Sequence, residues 1–576
     1  MAVINRTSSS SGGDVERYGG KTEYDVSAEK DMPVVDGDGV VQHGDHQHLH
    51  RGLKSRHITM IAIGGAIGTG LIIGTGKALA QSGPGSILIS YTAVGLLVYV
   101  VMCGLGEMAA WIPHASGFAG YATRFVDPAF GFALGYTYWF KYIITTPNQL
   151  TAAALVIQEW KPADEVNPGV WITVFLVTII CINYFGIKFF GEFEFWLSSI
   201  KVITIVGLIL LSFILAVGGG PNGEATGFKY YKDPGAFKPY IAEGSAGMFY
   251  GFWASFINSV FAYLGTELIG VTVGEAQNPR KTIPRAIKLT FYRILFFYCL
   301  SVFFLGMLVP YDSPELAFAN GAGTKASASP FVVAIRLAGI RHLPGILNAC
   351  ILLFTFSASN SDLYIASRTL YGLADQGHAP KIFAWTDKRG VPVPALGLSA
   401  SICLIAYLNV ADDSKTVFGY LVNLVTIFGL LTWISLLVTH IYFVKARRAQ
   451  GITDDQMPYV APFGLIGSYI GLFFCCLIAI TKNFSAFTRG SYGSFDYKTF
   501  ITGYLGIPLY LILIFGYKFW FKTKGVKPHE ADFYSGKDEI DREEAAFLAH
   551  KAAQEEAKGG KKSGSWFYRT FISWLF

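Results

Sequence analysis

The sequence predicts an all-α polytopic membrane protein with twelve transmembrane helices, the first and sixth of them broken. Three observations lead there. Of the 576 residues, 52% are hydrophobic and only 15% charged, and the mean hydropathy is +0.41, well outside the range of a soluble domain. Runs of about 20 apolar residues, the length that carries a helix across ~30 Å of hydrocarbon, recur along most of the chain. Two of those runs are interrupted by glycine-rich strings, Gly65-Ala66-Ile67-Gly68-Thr69-Gly70 and Tyr263-Leu264-Gly265-Thr266-Glu267.

The expected spans are 57–80, 86–110, 128–158, 169–187, 193–217, 246–273, 285–309, 345–368, 394–411, 416–444, 461–481 and 499–521. Before them, residues 1–50 are polar and rich in Gly, Ser and Asp, without the apolar core of a cleaved signal, so they read as a disordered tail. Basic residues flank the spans unevenly. Arg51, Lys54 and Arg56 precede the first, Arg280, Lys281, Arg285 and Lys288 follow the sixth, and Lys445, Arg447 and Arg448 follow the tenth. Because charges near span ends set orientation, both termini are expected in the cytosol, although Lys229, Lys232, Lys238 and Arg336 fall in outer loops. The domains are then a tail over 1–50, a twelve-helix domain over 51–528 and a second tail over 529–576. In that last tail the run Lys537-Asp538-Glu539-Ile540-Asp541-Arg542-Glu543-Glu544 reads as a solvated helix, and Trp566-Phe567-Tyr568 with Trp574-Leu575-Phe576 as a surface-docking end. Lys21, Lys30 and Ser8–Ser11 are candidate modification sites, and the tails are candidate docking points for a ubiquitin ligase or trafficking partners.

The breaks carry the functional signal. Peptide groups freed from a helix inside lipid are tolerated only where they line a buried polar cavity, and broken helices at corresponding positions of two halves put a binding site between them near the midplane. Spans one to five and six to ten each begin with a broken helix, and spans eleven and twelve stand outside this arrangement. The competing reading is that the glycines only allow close helix packing. A nucleotide-binding loop is excluded by context, since the string lies inside a membrane-length apolar run rather than after a short strand. The cysteines show no metal spacing, there is no basic face for nucleic acid, and no HExxH or GxSxG string marks an enzyme. No cofactor or metal is expected; the partners are a small molecule and the bilayer.

Charges deep in a membrane cost at least ~2.5 kcal/mol each on insertion scales, so they default to functional candidates. Glu267 lies just past the second break, where it can hold the half-helices, meet a substrate ammonium, carry a proton or serve as a structural carboxyl. Lys141 is near the middle of span three, where it faces either an acidic substrate or a protein carboxylate such as Glu267 or Glu107. Lys201 lies nine residues into span five; a partly desolvated amine there can give up and regain a proton, unless it snorkels to the interface.

Four segments resemble a known family: Arg51–His57 running into GGAIGTGLIIGTG at 64–76, GEMAAWIPHASGFAGYATRFVDPAFGF at 106–132, FAYLGTELIGVTVGEAQNPRKTIPRAI at 261–287, and SASNSDLYIASRTLYGLADQGHAPK at 357–381. The chain resembles the fungal amino acid permeases of the amino acid–polyamine–organocation superfamily over residues 50–545. FKYIITTPNQLTAAALVIQEW at 140–160 is most similar to the dicarboxylic amino acid branch. The resemblance implies a LeuT-like five-plus-five inverted repeat and proton-driven uptake of amino acids across the plasma membrane, acidic ones favoured. A broad-range permease and a permease-like sensor are the alternatives. It implies that backbone N–H groups of Ile67, Gly68, Thr69 and Gly70 bind the substrate carboxylate, that carbonyls near Phe261, Ala262 and Tyr263 bind the ammonium, and that Lys201, with Glu267, couples the proton. Trp253, Phe256, Phe261 and Tyr263 are candidates for an aromatic lid.

Overall fold

A computed structural model describes residues 68–538 except 114–116, 186–189, 269, 271–278, 317–328, 411–413 and 489–494, together with 34–35, 41–42 and scattered positions up to 553. The sheet among the described residues is a two-residue antiparallel ladder, β1 (Val34–Val35) against β2 (Val41–Gln42). The rest is helical.

The first described helix opens with a π-type turn over Gly70–Gly74 and continues as α1 (Thr75–Ser82); the preceding residues of that span lie outside the described set. There follow α2 (Pro84–Trp111), α3 (Gly117–Phe125), α4 (Pro128–Ile157), α5 (Pro168–Phe185), α6 (Phe190–Ala216) and α7 (Gly244–Tyr263). Then come α8 (Pro279–Arg293), which a π-type turn joins to α9 (Leu300–Leu308), α10 (Pro330–Leu337), α11 (Leu343–Asp375) and α12 (Val393–Ile402), continued by a 3-10 stretch Cys403–Val410. The chain ends with α13 (Ser414–Ala449), α14 (Gly464–Thr481), α15 (Tyr497–Tyr504) and α16 (Gly506–Phe521). Every expected span thus has a helical counterpart among the described residues, but nine segments are long and apolar enough to cross a membrane on their own. The helices α4 and α7 are long enough yet more polar. The reason is position: nearly every residue of α4 is buried, between α11, α13, α3 and α16, so its polar side chains face protein rather than lipid.

The second break is explicit in the backbone. Leu264, with φ −63° and ψ 137°, leaves the helix, and Gly265 takes φ +103°, a region that L side chains rarely adopt. Thr266 Oγ1 donates to the Tyr263 carbonyl at 2.9 Å and Leu264 N to that of Phe261 at 3.3 Å, so part of the freed backbone is satisfied locally. At Gly70 the two breaks touch: a Cβ there would stand 2.5 Å from Cα and 2.8 Å from N of Ala262. Glycine is required at this point because backbone meets backbone.

At the end of the bundle where α2 and α13 finish, a second polar cluster is buried. Glu107 accepts from His440 Nε2 at 3.1 Å and from the Ala461 N–H at 2.9 Å, with Arg447 3.5 Å away and itself bound to Asp454 at 2.6 Å. His440 Nδ1 meets Ser468 Oγ at 2.7 Å. Over this end lies the segment after α16. Phe533 is fully buried against Trp111, Phe125 and Phe443, and its carbonyl accepts from Trp111 Nε1 at 3.1 Å. Arg124 pairs with Asp532, and Arg280 with Asp541 and Glu544. The expected solvated tail therefore begins with residues that belong to the core. Its apolar pair Ala531 and Phe533 is what the sequence reading passed over; the aromatic end at 566–576 lies outside the described residues.

Candidate functional site

The breaks open onto a shared cavity. Gly68, Thr69 and Gly70 line it from the first break and Phe261, Ala262, Leu264 and Gly265 from the second. Gly68, Thr69 and Gly70 thus meet Phe261 and Ala262 from a distant part of the chain, while Ile67 lies outside the described residues. Thr69 Oγ1 donates to Gln149 Oε1 at 2.8 Å, which ties the first break to α4.

Tyr263 is placed differently from its neighbours. Its ring turns away from the cavity and stacks on Tyr298, centroids 4.2 Å apart. Its carbonyl is engaged by Thr266. Trp253 and Phe256 also stand off the cavity: Trp253 Nε1 donates to Thr481 Oγ1 at 2.9 Å, and Phe256 packs on Trp253 at 5.0 Å. Of the four candidate lid aromatics, Phe261 lines the space.

The expected ionisable residues are brought together. Lys141 lines the cavity and its Nζ bonds to Glu267 Oε1. Lys141 thus meets a protein carboxylate while lining the space. Glu267 also accepts from the Gly265 N–H at 3.2 Å and from Trp433 Nε1 at 3.4 Å. One carboxylate therefore fastens the break of the sixth span to α4 and α13. Lys201 lines the cavity as well, 3.7 Å from Glu194, so it does not snorkel to an interface.

Two carboxyl groups of the cavity were not singled out from the sequence. Glu194 accepts from Ser357 Oγ at 2.8 Å and from Ser198 Oγ at 3.2 Å. Asp362, on α11, lines the space and is buried. The signal existed, since both are ionisable residues inside apolar spans. Glu194 sits one residue into its expected span and reads as a flank, and Asp362 is hidden among Ser357, Ser359, Asn360 and Ser361, a stretch read only for its resemblance.

Chemically the cavity offers bare backbone groups of both signs beside two ammonium and several carboxyl side chains. That suits a small zwitterion with a further charge.

Comparison with known proteins agrees. The model of the family described as amino acid permease matches residues 57–529. The chain is 55% identical to the dicarboxylic amino acid permease of Saccharomyces cerevisiae, over 92% of this chain and 87% of that protein. It is 40% identical to the lysine-specific permease of the same yeast, over 87% and 80%, and 39% identical to the proline-specific permease of Emericella nidulans, over 86% and 90%. The family match spans both breaks and the cavity helices, and the chain belongs to the amino acid permease family, as a membrane transporter and not an enzyme.

Proposed function

We propose that this protein is a proton-coupled symporter that imports L-amino acids across the plasma membrane, with glutamate and aspartate favoured. In this reading twelve spans form a LeuT-like five-plus-five inverted repeat, both termini face the cytosol, and one bundle rocks against the other around the cavity. Backbone groups at Gly68, Thr69 and Gly70 take the α-carboxylate and carbonyls at Phe261 and Ala262 the α-ammonium. Those groups are common to every amino acid, so side-chain preference comes from elsewhere.

The observation that carries the acidic preference is the pair of buried lysines on the cavity wall, Lys141 and Lys201. A lysine ammonium has three donors. Lys141 commits one to Glu267, which leaves donors for the second carboxylate of an acidic substrate. The 55% identity to a permease named for dicarboxylic amino acids, against 40% to one named for lysine, points the same way.

The test is uptake of labelled glutamate in cells held in an acidic, energised medium. Uptake is expected to fall on adding a protonophore and to be competed by aspartate far better than by neutral amino acids. Lys141→Met is expected to erase that acidic preference. Equal competition by neutral amino acids would make this a broad-range permease, and binding without uptake a sensor.

A further inference from the structure

We propose that Asp362 is the group that carries the symported proton. This rests on the reading of the chain as a proton-coupled carrier of acidic amino acids and names the residue that does the coupling.

Charge balance among buried groups points to this residue. Around the cavity stand two lysines and three carboxyl groups: Lys141, Lys201, Glu194, Glu267 and Asp362. Lys141 is bonded to Glu267, which has two further donors in the Gly265 N–H and Trp433. Lys201 faces Glu194, which has two serine donors. Both cations are thereby matched to a carboxylate other than Asp362. Asp362 is 8% exposed, lines the cavity, and its Oδ2 is buried without a hydrogen-bond partner.

Its surroundings do not supply a third cation among the described residues. From α4 it is faced by Lys141, Tyr138 and Tyr142, and by the Gln149 amide. From α6 it is faced by Lys201 and Glu194, and from the 3-10 stretch after α12 by Cys403. Glu267 lies beyond Lys141. An ionised carboxylate at such a site without a cation of its own is disfavoured by the loss of hydration.

An acidic amino acid makes the imbalance worse, because it brings two carboxylates and one ammonium. A proton on Asp362 removes one negative charge and also changes what its oxygen can do. The ionised carboxyl only accepts hydrogen bonds, whereas the protonated one donates. The otherwise unmatched Oδ2 then offers an O–H to an incoming carboxylate, so anion and proton enter the cavity together. When the cavity opens to the other side and the anion leaves, the O–H loses its acceptor and the proton follows. Lys201 and Glu267, expected from resemblance to couple the proton, act in this account as fixed ion-pair partners that keep the balance.

The test uses the full-length protein in liposomes loaded with a pH-sensitive dye and given labelled glutamate. For the natural sequence, glutamate entry is expected to bring protons with it, and an inward proton gradient to accelerate uptake. In Asp362→Asn the number of protons moved per glutamate is expected to fall to none, whatever the rate that remains, and the gradient is expected to lose its effect. Asp362→Glu, which keeps an exchangeable proton, is expected to restore coupling with a displaced pH profile. Protons accompanying glutamate in Asp362→Asn as before would overturn the assignment. If that variant moves no glutamate, the Asp362→Glu profile decides, and one identical to that of the natural sequence also overturns it. A natural protein that shows no proton entry and no gradient effect would instead sink the broader reading of a proton symporter.

Discussion

Among the described residues, the buried charges around Glu107 and those around Lys141 and Lys201 differ in one respect. Around Glu107 the ions have fixed partners on three sides: His440 and Arg447 from α13, the Ala461 N–H, and Asp454 facing Arg447 from outside. Phe533 packs against this end of the bundle through Trp111, Phe125 and Phe443. Around Lys141 and Lys201, by contrast, similar side chains border open space. The same residue types therefore act as a staple in one place and as a receptacle in the other. What separates the two is whether the last ligand of the cluster is protein or is left to be supplied from outside.

The largest effect that would sharpen this contrast is at the staple. Glu107→Ala removes the counter-charge of Arg447 and the acceptor of His440, and breaking a buried pair in this way costs about 3–5 kcal/mol. We expect a marked fall of the unfolding temperature in detergent, with the preference among competing amino acids unchanged in whatever protein reaches the membrane. A changed preference would mean that the two clusters are not separate. A smaller effect is expected at the receptacle from Gly70→Ala. The new methyl carbon would sit 2.5 Å from the Ala262 Cα, and overpacking of this kind costs about 1–3 kcal/mol. Here the loss should fall on substrate affinity more than on thermal stability, because the methyl wedges apart the two breaks that form the grip.

The smallest effect concerns the docked tail. Partial burial of Asp532 works against its charge, but the N–H groups of Ser535 and Tyr534 and the neighbouring Arg124 outweigh it and hold the carboxyl at about 2, below its ordinary 3.8. A carboxyl depressed on docking stabilises the docked form above the ordinary value, and loses that contribution as pH falls from 3.8 towards about 2. Hydrogen-exchange protection of residues 525–538, taken relative to the intrinsic rate at each pH, is therefore expected to be the same at pH 7 and pH 5 and to fall only below about 4. Loosening between pH 7 and pH 5 would assign the docking to some other titrating group.

What could be read from the sequence follows from which medium does the reading. Lipid selects for length and apolarity, so α2, α5 and α11 begin within two residues of where hydrophobic runs place them. Glycine at a break reports a backbone demand, and both Gly70 and Gly265 prove to answer one, a close approach and a positive φ. Partners across helices are a different matter. That Lys141 meets Glu267, that Lys201 meets Glu194, and that Tyr263 rotates onto Tyr298 all depend on how helices distant in sequence are turned about their axes. Local pattern does not encode that rotation. The docking of Phe533 was illegible for the same reason: an apolar residue in a polar stretch has no periodicity, and its burial is decided by Trp111, Phe125 and Phe443 more than eighty positions away.

The seat of Phe533 also has a temporal side. Helices enter the bilayer in order as the ribosome delivers them, with N-terminal parts folding first. Among the described residues Phe533 is the last in chain order to be fully buried, and the aromatic socket that receives it is built from α2, α3 and α13. Until translation has passed this point, three finished helices hold an empty slot between them. A nascent chain cut short after α16 would therefore contain every span and still present an apolar hole at its surface, a mark by which quality-control machinery can tell an aborted copy from a complete one.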